Sequence, residues 1–223
     1  MVKGVILDIE GTIAPLSFVK EVMFPYSKER LEKFLRENWE KPEIRRIIEE
    51  TESILGKKLS LEEAIETFKK WIDEDKKITP LKELQGYIWE EGFKKGELVA
   101  PLYRDAYEKI KKWKEKGIPV YIYSSGSVKA QKLFFSHTNY GNILDMFSGF
   151  FDTRIGSKKE SQSYRRILKN INLKPEEVVF ISDNPEELKA AEEAGIKVFQ
   201  AVREGIEPSS EFEQIRSFEE LKI

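Results

Sequence analysis

Short apolar runs alternate with amphipathic helical patterns over the second half of this 223-residue chain. From residue 101 onward, predicted helices separate four predicted strands, whose sequences are PVYIYS, GFFDTRI, VVFISD and KVFQAV. Neighbouring parallel strands need a long crossover connection, usually a helix, so this alternation favours a parallel sheet. It is the strongest constraint on the fold. It predicts an α/β class, a Rossmann-like parallel sheet with helices on both faces.

Residues 2–8 form a further predicted strand, after which the chain shows only helical patterns to about residue 95. An isolated strand would leave its backbone hydrogen-bonding groups unpaired, so this strand must join the sheet of the second half. We therefore predict two domains. Residues 1–14 and 99–223 would form the α/β core, and residues 15–98 would form a helical cap domain inserted after the first strand.

Composition excludes several classes of function. The chain has no Cys and a single His, His137, which excludes thiolate catalysis and Cys-ligated zinc and argues against multi-His metal sites. Lys and Arg (38) nearly balance Asp and Glu (40), which argues against a nucleic-acid surface. No apolar run reaches the roughly 18 residues of a membrane span, and the N-terminus lacks a signal-peptide pattern. We expect a soluble, cytoplasmic protein without a membrane partner.

Polar side chains stand at the ends of the predicted strands or just beyond them, whereas the strand interiors are apolar. Because the carboxyl ends of parallel strands meet at one edge of a sheet, residues far apart in sequence can converge there. The residues in question are Asp8 with Glu10, Ser124 with Ser125, Lys158, and Asp183.

These residue types suit phosphate chemistry. The carboxylates of Asp8 and Asp183 suit Mg²⁺, which takes oxygen ligands and commonly uses one or two carboxylates. The segment SSGS, residues 124–127, offers hydroxyls and backbone N–H groups at the start of a helix, which suits an anion. A lysine supplies positive charge against phosphoryl oxygens. With Cys absent and no Arg-His-Gly segment, an Asp nucleophile is the main covalent route left for phosphoryl transfer.

Four motifs in this order resemble those of the haloacid dehalogenase-like phosphohydrolases: DIEGT with Asp8, Ser124 after the second strand, Lys158, and SDNPEE with Asp183. Within that superfamily the chain is similar to the acireductone synthases, the enolase-phosphatases of methionine salvage. The segments that carry this closer resemblance are DIEGT, YIYSSGSVKAQKLFF, FDTRIG, and the cap segments FVKEVMFPY and LQGYIWEEGF. The resemblance covers nearly the whole chain.

The resemblance implies roles for the first and fourth motifs. Asp8 would be the nucleophile, forming an aspartyl-phosphate, and would also be a ligand of one Mg²⁺ per chain. Asp183 and the backbone carbonyl of Glu10 would complete the protein's share of the metal shell. Glu10 would also act as general acid and base, although it is one methylene longer than the usual Asp. Whether Glu187, four residues after Asp183, supports the metal stays open.

The second and third motifs would bind the phosphate group. By the resemblance, Ser124, Ser125 and Lys158 contact phosphate. We prefer Lys158 to the adjacent Lys159, because its spacing from the aromatic Tyr164 fits the family pattern.

The reaction implied by the resemblance converts 2,3-diketo-5-methylthiopentyl 1-phosphate to an enol phosphate, and then to acireductone and phosphate. The base that forms the enol stays open among Glu10, Lys158 and the cap residue Glu90. The cap would exclude water and select the methylthio group. We expect a monomer whose partner is this small phosphorylated diketone. Candidates for the apolar wall of the cap pocket are Phe18, Phe24, Tyr26 and Trp89.

Two other functions fit parts of this pattern. A generic phosphatase of the same superfamily, acting on a sugar phosphate or phosphoglycolate, would share the four motifs and differ only in its cap. A phosphoacceptor signalling domain would also carry a reactive Asp. Such a domain needs no helical insertion of about 80 residues and places its phosphoacceptor on an inner strand, so DIEGT on the first strand argues against it.

Overall fold

The computed structural model describes all 223 residues and divides the chain into two compact units. One unit consists of Met1–Phe18 and Val99–Ile223, and the other of Val19–Leu98. The second unit begins four residues later than the domain boundary predicted from the sequence. That this unit acts as a cap stays a prediction.

The first unit contains a parallel sheet of six strands in the order β3-β2-β1-β4-β5-β6. The first strand of the chain lies inside this sheet, between β2 and β4, which confirms the prediction that it joins the second half of the chain. The strands are β1 Gly4–Leu7, β2 Val120–Tyr123, β3 Gly149–Phe151, β4 Val178–Ser182, β5 Lys197–Ala201 and β6 Gln214–Ile215.

The chain contains eight α-helices, of which α1 to α4 lie in the unit Val19–Leu98 and α5 to α8 in the unit with the sheet. None of them is long and apolar enough to cross a membrane. The helices are α1 Phe24–Asn38, α2 Pro42–Leu55, α3 Leu61–Asp73, α4 Thr79–Lys94, α5 Arg104–Glu115, α6 Val128–Ser136, α7 Ser161–Ile171 and α8 Pro185–Glu193.

The central strands are buried at every position, which explains why their sequences are continuous apolar runs. Successive residues of a strand face opposite sides of the sheet. Ile6 and Phe180 accordingly join Tyr164 of α7 and Leu188 of α8 in one hydrophobic core. The predicted α/β class with a parallel sheet is confirmed.

Strand β3 is shorter than the sequence pattern predicts. The predicted strand runs to residue 155, but β3 ends at Phe151. The carboxylate of the next residue, Asp152, accepts hydrogen bonds from the backbone N–H groups of Arg154 at 2.9 Å and Val128 at 3.1 Å. These bonds turn the chain away from the sheet and fix the start of α6.

The unit Val19–Leu98 is entirely helical. A short π-helix, Val19–Met23, leads directly into α1. Helix α3 begins with a capping box, in which Ser60 and Glu63 each accept a hydrogen bond from the other's backbone N–H. Helices α1 to α4 share a hydrophobic core that includes Leu31, Ile47 and Phe68.

An ion pair ties α5 to the last residues of the chain. Asp105 accepts two hydrogen bonds from the Arg203 guanidinium, at 3.1 and 2.8 Å, and one from the Phe218 amide at 2.8 Å. Burial by itself would raise the pKa of Asp105. The hydrogen bonds and the charge of Arg203 outweigh burial and hold that pKa below its ordinary value.

We expect Asp105→Asn to lower the free energy of unfolding by about 1.5–3 kcal/mol near neutral pH, because hydrogen bonds to a charged group contribute on this order. A carboxyl group whose pKa is lower in the folded than in the unfolded protein stabilises the fold above the unfolded value, about 3.9. This stabilisation is lost as the pH falls through the folded value. The gap between variant and parent should therefore shrink below about pH 4. Urea unfolding over a pH series measures it, and a gap that persists in acid would contradict an ionic role.

Candidate active site

The carboxyl edge of the sheet gathers the polar residues predicted from the strand ends. Asp8 follows β1 directly, Ser124 follows β2 and Asp183 follows β4. Lys158 lies in the loop between β3 and α7, and its side chain contacts Asp8. Asp183 lies near Asp8, and the charge of Asp8 acts on its carboxyl group.

The Asp8 carboxylate is buried, and each of its oxygens has a donor. Lys158 Nζ lies 2.6 Å from Oδ1, and Thr12 Oγ1 donates to Oδ2 at 3.0 Å. The Asp8 backbone N–H donates to the Ile181 carbonyl at 3.1 Å, which continues the pairing of β1 with β4 beyond the last residue of β1. The fold thus holds this carboxylate in one orientation.

Lys158 is the cation of the site, and only 8% of its side chain is exposed. Its ammonium group lies between Asp8, at 2.6 Å, and Glu187, at 3.0 Å. Tyr164 donates a hydrogen bond to the Lys158 carbonyl at 2.6 Å, which fixes the loop. Burial by itself would lower the pKa of Lys158, but the charges of Asp8 and Glu187 outweigh it and raise that pKa. Lys158 is therefore a permanent positive charge at working pH.

Carboxyl groups outnumber this lysine: Asp8 is buried, and Glu10, Asp183 and Glu187 are half-buried. Burial, followed by the charge of Asp8, raises the pKa of Asp183 to about 8. Burial and the charge of Asp8 also raise the pKa of Glu10 and of Glu187. Glu187 accepts a further hydrogen bond from Ser182 at 2.7 Å. The site therefore gathers more acidic groups than its one lysine can balance, and their raised pKa values reflect this crowding.

The turn after Glu10 brings the backbone close to Asp183. Gly11 has a φ of +82°, a conformation that favours glycine. A Cβ atom at this position would lie 2.5 Å from Asp183 Oδ2. The Gly in DIEGT is therefore required by both its backbone conformation and its neighbour.

The segment 124–127 forms the turn between β2 and α6. Ser124 is buried, and its backbone N–H donates to the Phe151 carbonyl at 3.1 Å. Ser127 caps α6 by accepting a hydrogen bond from the Ala130 N–H at 3.1 Å. Ser125 is exposed. The hydroxyls of Ser124 and Ser125 suit an anion at this turn.

The candidates for the apolar pocket lie in both units. Phe18 belongs to the first unit, where its ring packs edge-on against Phe134 with the centroids 6.1 Å apart. In the helical unit, Phe24 stacks on Trp89 at 6.1 Å. The contact of any of these rings with substrate stays a prediction.

Two polar candidates of the helical unit make contacts within that unit. Tyr26 donates to Glu97 at 2.6 Å, and burial, followed by this hydrogen bond, raises the pKa of Tyr26 to about 12. Glu90 forms an ion pair with Lys94 at 2.8 Å.

Comparison with known proteins decides the family. The sequence profile of the haloacid dehalogenase-like hydrolases matches residues 2–195. The curated Enolase-phosphatase E1 of Aquifex aeolicus is 73% identical over 100% of both chains, and that of Persephonella marina is 58% identical over 99% of both. The chain belongs to the enolase-phosphatase E1 family of haloacid dehalogenase-like hydrolases. Its fold is also similar to the crystal structure of UTR4 protein from Saccharomyces cerevisiae, with a TM-score of 0.86 and 36% identity over 99% of this chain and 100% of that one.

Membership of the enolase-phosphatase E1 family confirms the predicted superfamily, the closer resemblance and the prediction that the chain is an enzyme. The interpretation as a phosphoacceptor signalling domain has no support from these full-length matches.

Several residues that support the site of this enolase-phosphatase E1 family member were not predicted from its sequence. Thr12 holds Asp8, and Asp152 fixes the start of α6. Gln131 is buried and donates to the carbonyls of Gly126 at 2.8 Å and Phe151 at 2.9 Å, which braces the serine turn. Asp152 follows a strand and could have been found by the strand-end rule, whereas Gln131 carries no signal in its sequence context.

Proposed function

We propose that this protein is the enolase-phosphatase that converts 2,3-diketo-5-methylthiopentyl 1-phosphate to acireductone and phosphate in methionine salvage. One observation carries the proposal: the buried carboxylate of Asp8, oriented by Lys158 and Thr12, stands near Asp183 at the carboxyl edge of the sheet. The 73% identity to a protein named Enolase-phosphatase E1 supports the choice of substrate.

The phosphatase half of the reaction uses the residues at β1. Asp8 attacks phosphorus, the bond from phosphorus to the enol oxygen breaks, and the enol oxygen takes a proton from Glu10. Water, deprotonated by Glu10, then attacks the phosphorus of the aspartyl-phosphate, which releases phosphate and restores Asp8. The raised pKa of Glu10 suits this exchange, because a group that is easily protonated serves first as acid and then as base.

Two groups of the site face the phosphoryl oxygens in this proposal. The ammonium of Lys158 offsets the charge that develops on them. Ser124 and Ser125 bind them through their hydroxyls at the serine turn. Glu187 contacts Lys158 and Ser182, so its proposed role is to hold the lysine rather than to bind substrate.

The enolase half needs a base at the carbon that bears the phosphate ester. Of the three candidates, Lys158 is the least suited, because its raised pKa keeps it protonated. Glu90 forms an ion pair with Lys94 in the helical unit. We therefore assign the base to Glu10, whose raised pKa makes it a stronger base than an exposed carboxylate.

This assignment predicts that Glu10→Gln stops enol formation as well as phosphate release, because an amide cannot take up a proton. Enol absorbance and free phosphate are recorded on the diketo phosphate. A variant that still forms enol but releases no phosphate would leave Glu10 as an acid only and assign the base to another residue.

The donors at this site fit one Mg²⁺ per chain. No three His, Cys, Asp or Glu side chains are grouped as a complete set of metal ligands. Mg²⁺ does not need such a set, because it usually keeps several waters and takes one or two carboxylates. The carboxylates of Asp8 and Asp183 and the backbone carbonyl of Glu10 would hold it. The excess of carboxyl groups over lysine favours a cation here, because a bound cation would stabilise their charged forms. When bound, the ion supplies Lewis-acid stabilisation of negative charge on substrate oxygens.

The same proposal includes a cytoplasmic monomer whose helical unit selects the methylthio group. Gel filtration tests the monomer directly, because a mass near twice the chain's 26.1 kDa would contradict it.

A substrate panel tests the proposal against a generic phosphatase. Purified protein with Mg²⁺ is given the diketo phosphate, several sugar phosphates and phosphoglycolate at equal concentrations, and free phosphate is measured. We expect release from the diketo phosphate to exceed that from every other ester. Equal or faster release from a sugar phosphate or phosphoglycolate would support the generic phosphatase instead.

A further inference from the structure

Arg203 lies behind the loop that carries Asp8, in the segment that follows β5. Its side chain is 9% exposed. The Nε–H donates to the backbone carbonyl of Thr12 at 3.0 Å, across 191 positions of sequence. This bond joins the segment after β5 to the DIEGT turn.

The guanidinium of Arg203 is fixed on every side. Its terminal nitrogens form the fork-shaped pair with Asp105, and one of them also donates to the Arg216 carbonyl at 3.3 Å. The guanidinium carbon lies 4.1 Å from the ring centre of Tyr103 and 5.3 Å from that of Phe218. A planar group held by these contacts presents its Nε–H to Thr12 in one direction.

Thr12 links Arg203 to the reacting carboxylate of Asp8. The residue is fully buried, and while its carbonyl accepts from Arg203, its hydroxyl donates to Asp8 Oδ2. Two hydrogen bonds through a single residue therefore connect Arg203 to Asp8. Lys158, which lies 150 positions after Asp8 in the sequence, holds the other oxygen, Oδ1.

We propose that Arg203 is a positioning residue for phosphoryl transfer: through Thr12 it fixes the orientation of the Asp8 carboxylate. The inference rests on the proposed role of Asp8 as nucleophile. Lysine cannot replace Arg203 in this role. The two terminal nitrogens of the guanidinium pair with Asp105 while its Nε–H reaches Thr12, and a single ammonium group cannot make both contacts. Orientation of a nucleophile affects the chemical step more than substrate binding.

The first test is Arg203→Lys, which keeps the charge. We expect kcat to fall about 10- to 100-fold, because a displacement of about 1 Å in a reacting group costs up to this amount. KM should stay within about twofold of the parent value. Val198→Ala is the control for stability. It removes methyl groups from the hydrophobic core of the same unit without changing Arg203 or its partners, so we expect it to lose stability and to keep kcat. Equal losses of kcat in the two variants would overturn the proposal in favour of a structural role.

The second test is a double-mutant cycle with Thr12→Val, a change of similar shape that removes only the hydroxyl. The proposal predicts that Thr12→Val lowers kcat and that adding Arg203→Lys to it has little further effect, because both changes act on the same bond to Asp8. If the double variant loses kcat by the product of the two separate losses, the two residues act independently and the proposal is overturned. Parent kcat in Thr12→Val would also overturn it, even if Arg203→Lys does not fold.

The parent protein is measured in the same assay. If it releases no phosphate from any ester, the proposed function fails and this inference fails with it. If the parent is active and Arg203→Lys keeps its kcat, only the inference is overturned.

Discussion

Asp8→Asn should abolish phosphate release, by at least about 10³-fold in kcat, because an amide neither attacks phosphorus nor gives a metal ion the same charge. The substitution is nearly isosteric, and the amide oxygen can still accept from Lys158 or Thr12, which hold the carboxylate in the parent. We expect enol absorbance to fall as well, since the same carboxylate would hold the metal ion.

Asp145→Asn is the matched control for this prediction. It makes the same chemical change in the same unit, at an exposed residue that pairs with Lys114 rather than Lys158. The two variants are compared after purification from the same host, with thermal melts to show that both are folded at the assay temperature. Hydrolysis by Asp8→Asn at a tenth of the control rate or more would remove Asp8 from the nucleophile role.

Lys158→Met should lower kcat by about 10²- to 10³-fold, the usual loss when one electrostatic contact to a transition state is removed. The lysine is the cation that lies between Asp8 and Glu187, and its side chain is almost fully buried. Its removal leaves those carboxylates without a cation, so the variant should also unfold at a lower temperature. Assays therefore run well below the midpoint of its melt.

Lys159→Met is the control for Lys158→Met, because the two lysines are adjacent in sequence but differ in environment. The Lys159 side chain is 60% exposed and pairs with Glu186 at the surface. Exposed pairs contribute little, so Lys159→Met should keep the parent rate and stability. The reverse result, an inactive Lys159 variant beside an active Lys158 variant, would contradict the assignment of the site lysine.

The strands could be predicted from the sequence where an apolar run has a turn at each end, as in β1, β2, β4 and β5. Strand β6 could not, because Gln214–Ile215 has only two residues and shows no periodicity. It forms because these residues pair with Gln200 and Ala201 of β5. The end of β3 could not be predicted either. Asp152 ends the strand by accepting hydrogen bonds from two backbone N–H groups, and the sequence pattern does not show these contacts.

The convergence of Asp8, Lys158 and Asp183 was predictable because the topology of a parallel sheet brings strand ends together. The contacts of these residues were not. That Thr12 donates to Asp8, and that Glu187 holds Lys158, depends on how side chains pack within the folded unit. Arg203 gave no signal at all, because an arginine after a strand is usually solvated and its partners lie far away in sequence.

The central claim is that one site carries out both enolisation and dephosphorylation with the help of Mg²⁺. The most direct measurement follows enol absorbance and free phosphate together, under anaerobic conditions, with the purified protein, Mg²⁺ and the diketo phosphate. We predict that both signals appear and that EDTA stops both. Phosphate release without any enol signal, or release that continues unchanged in EDTA, would contradict this account.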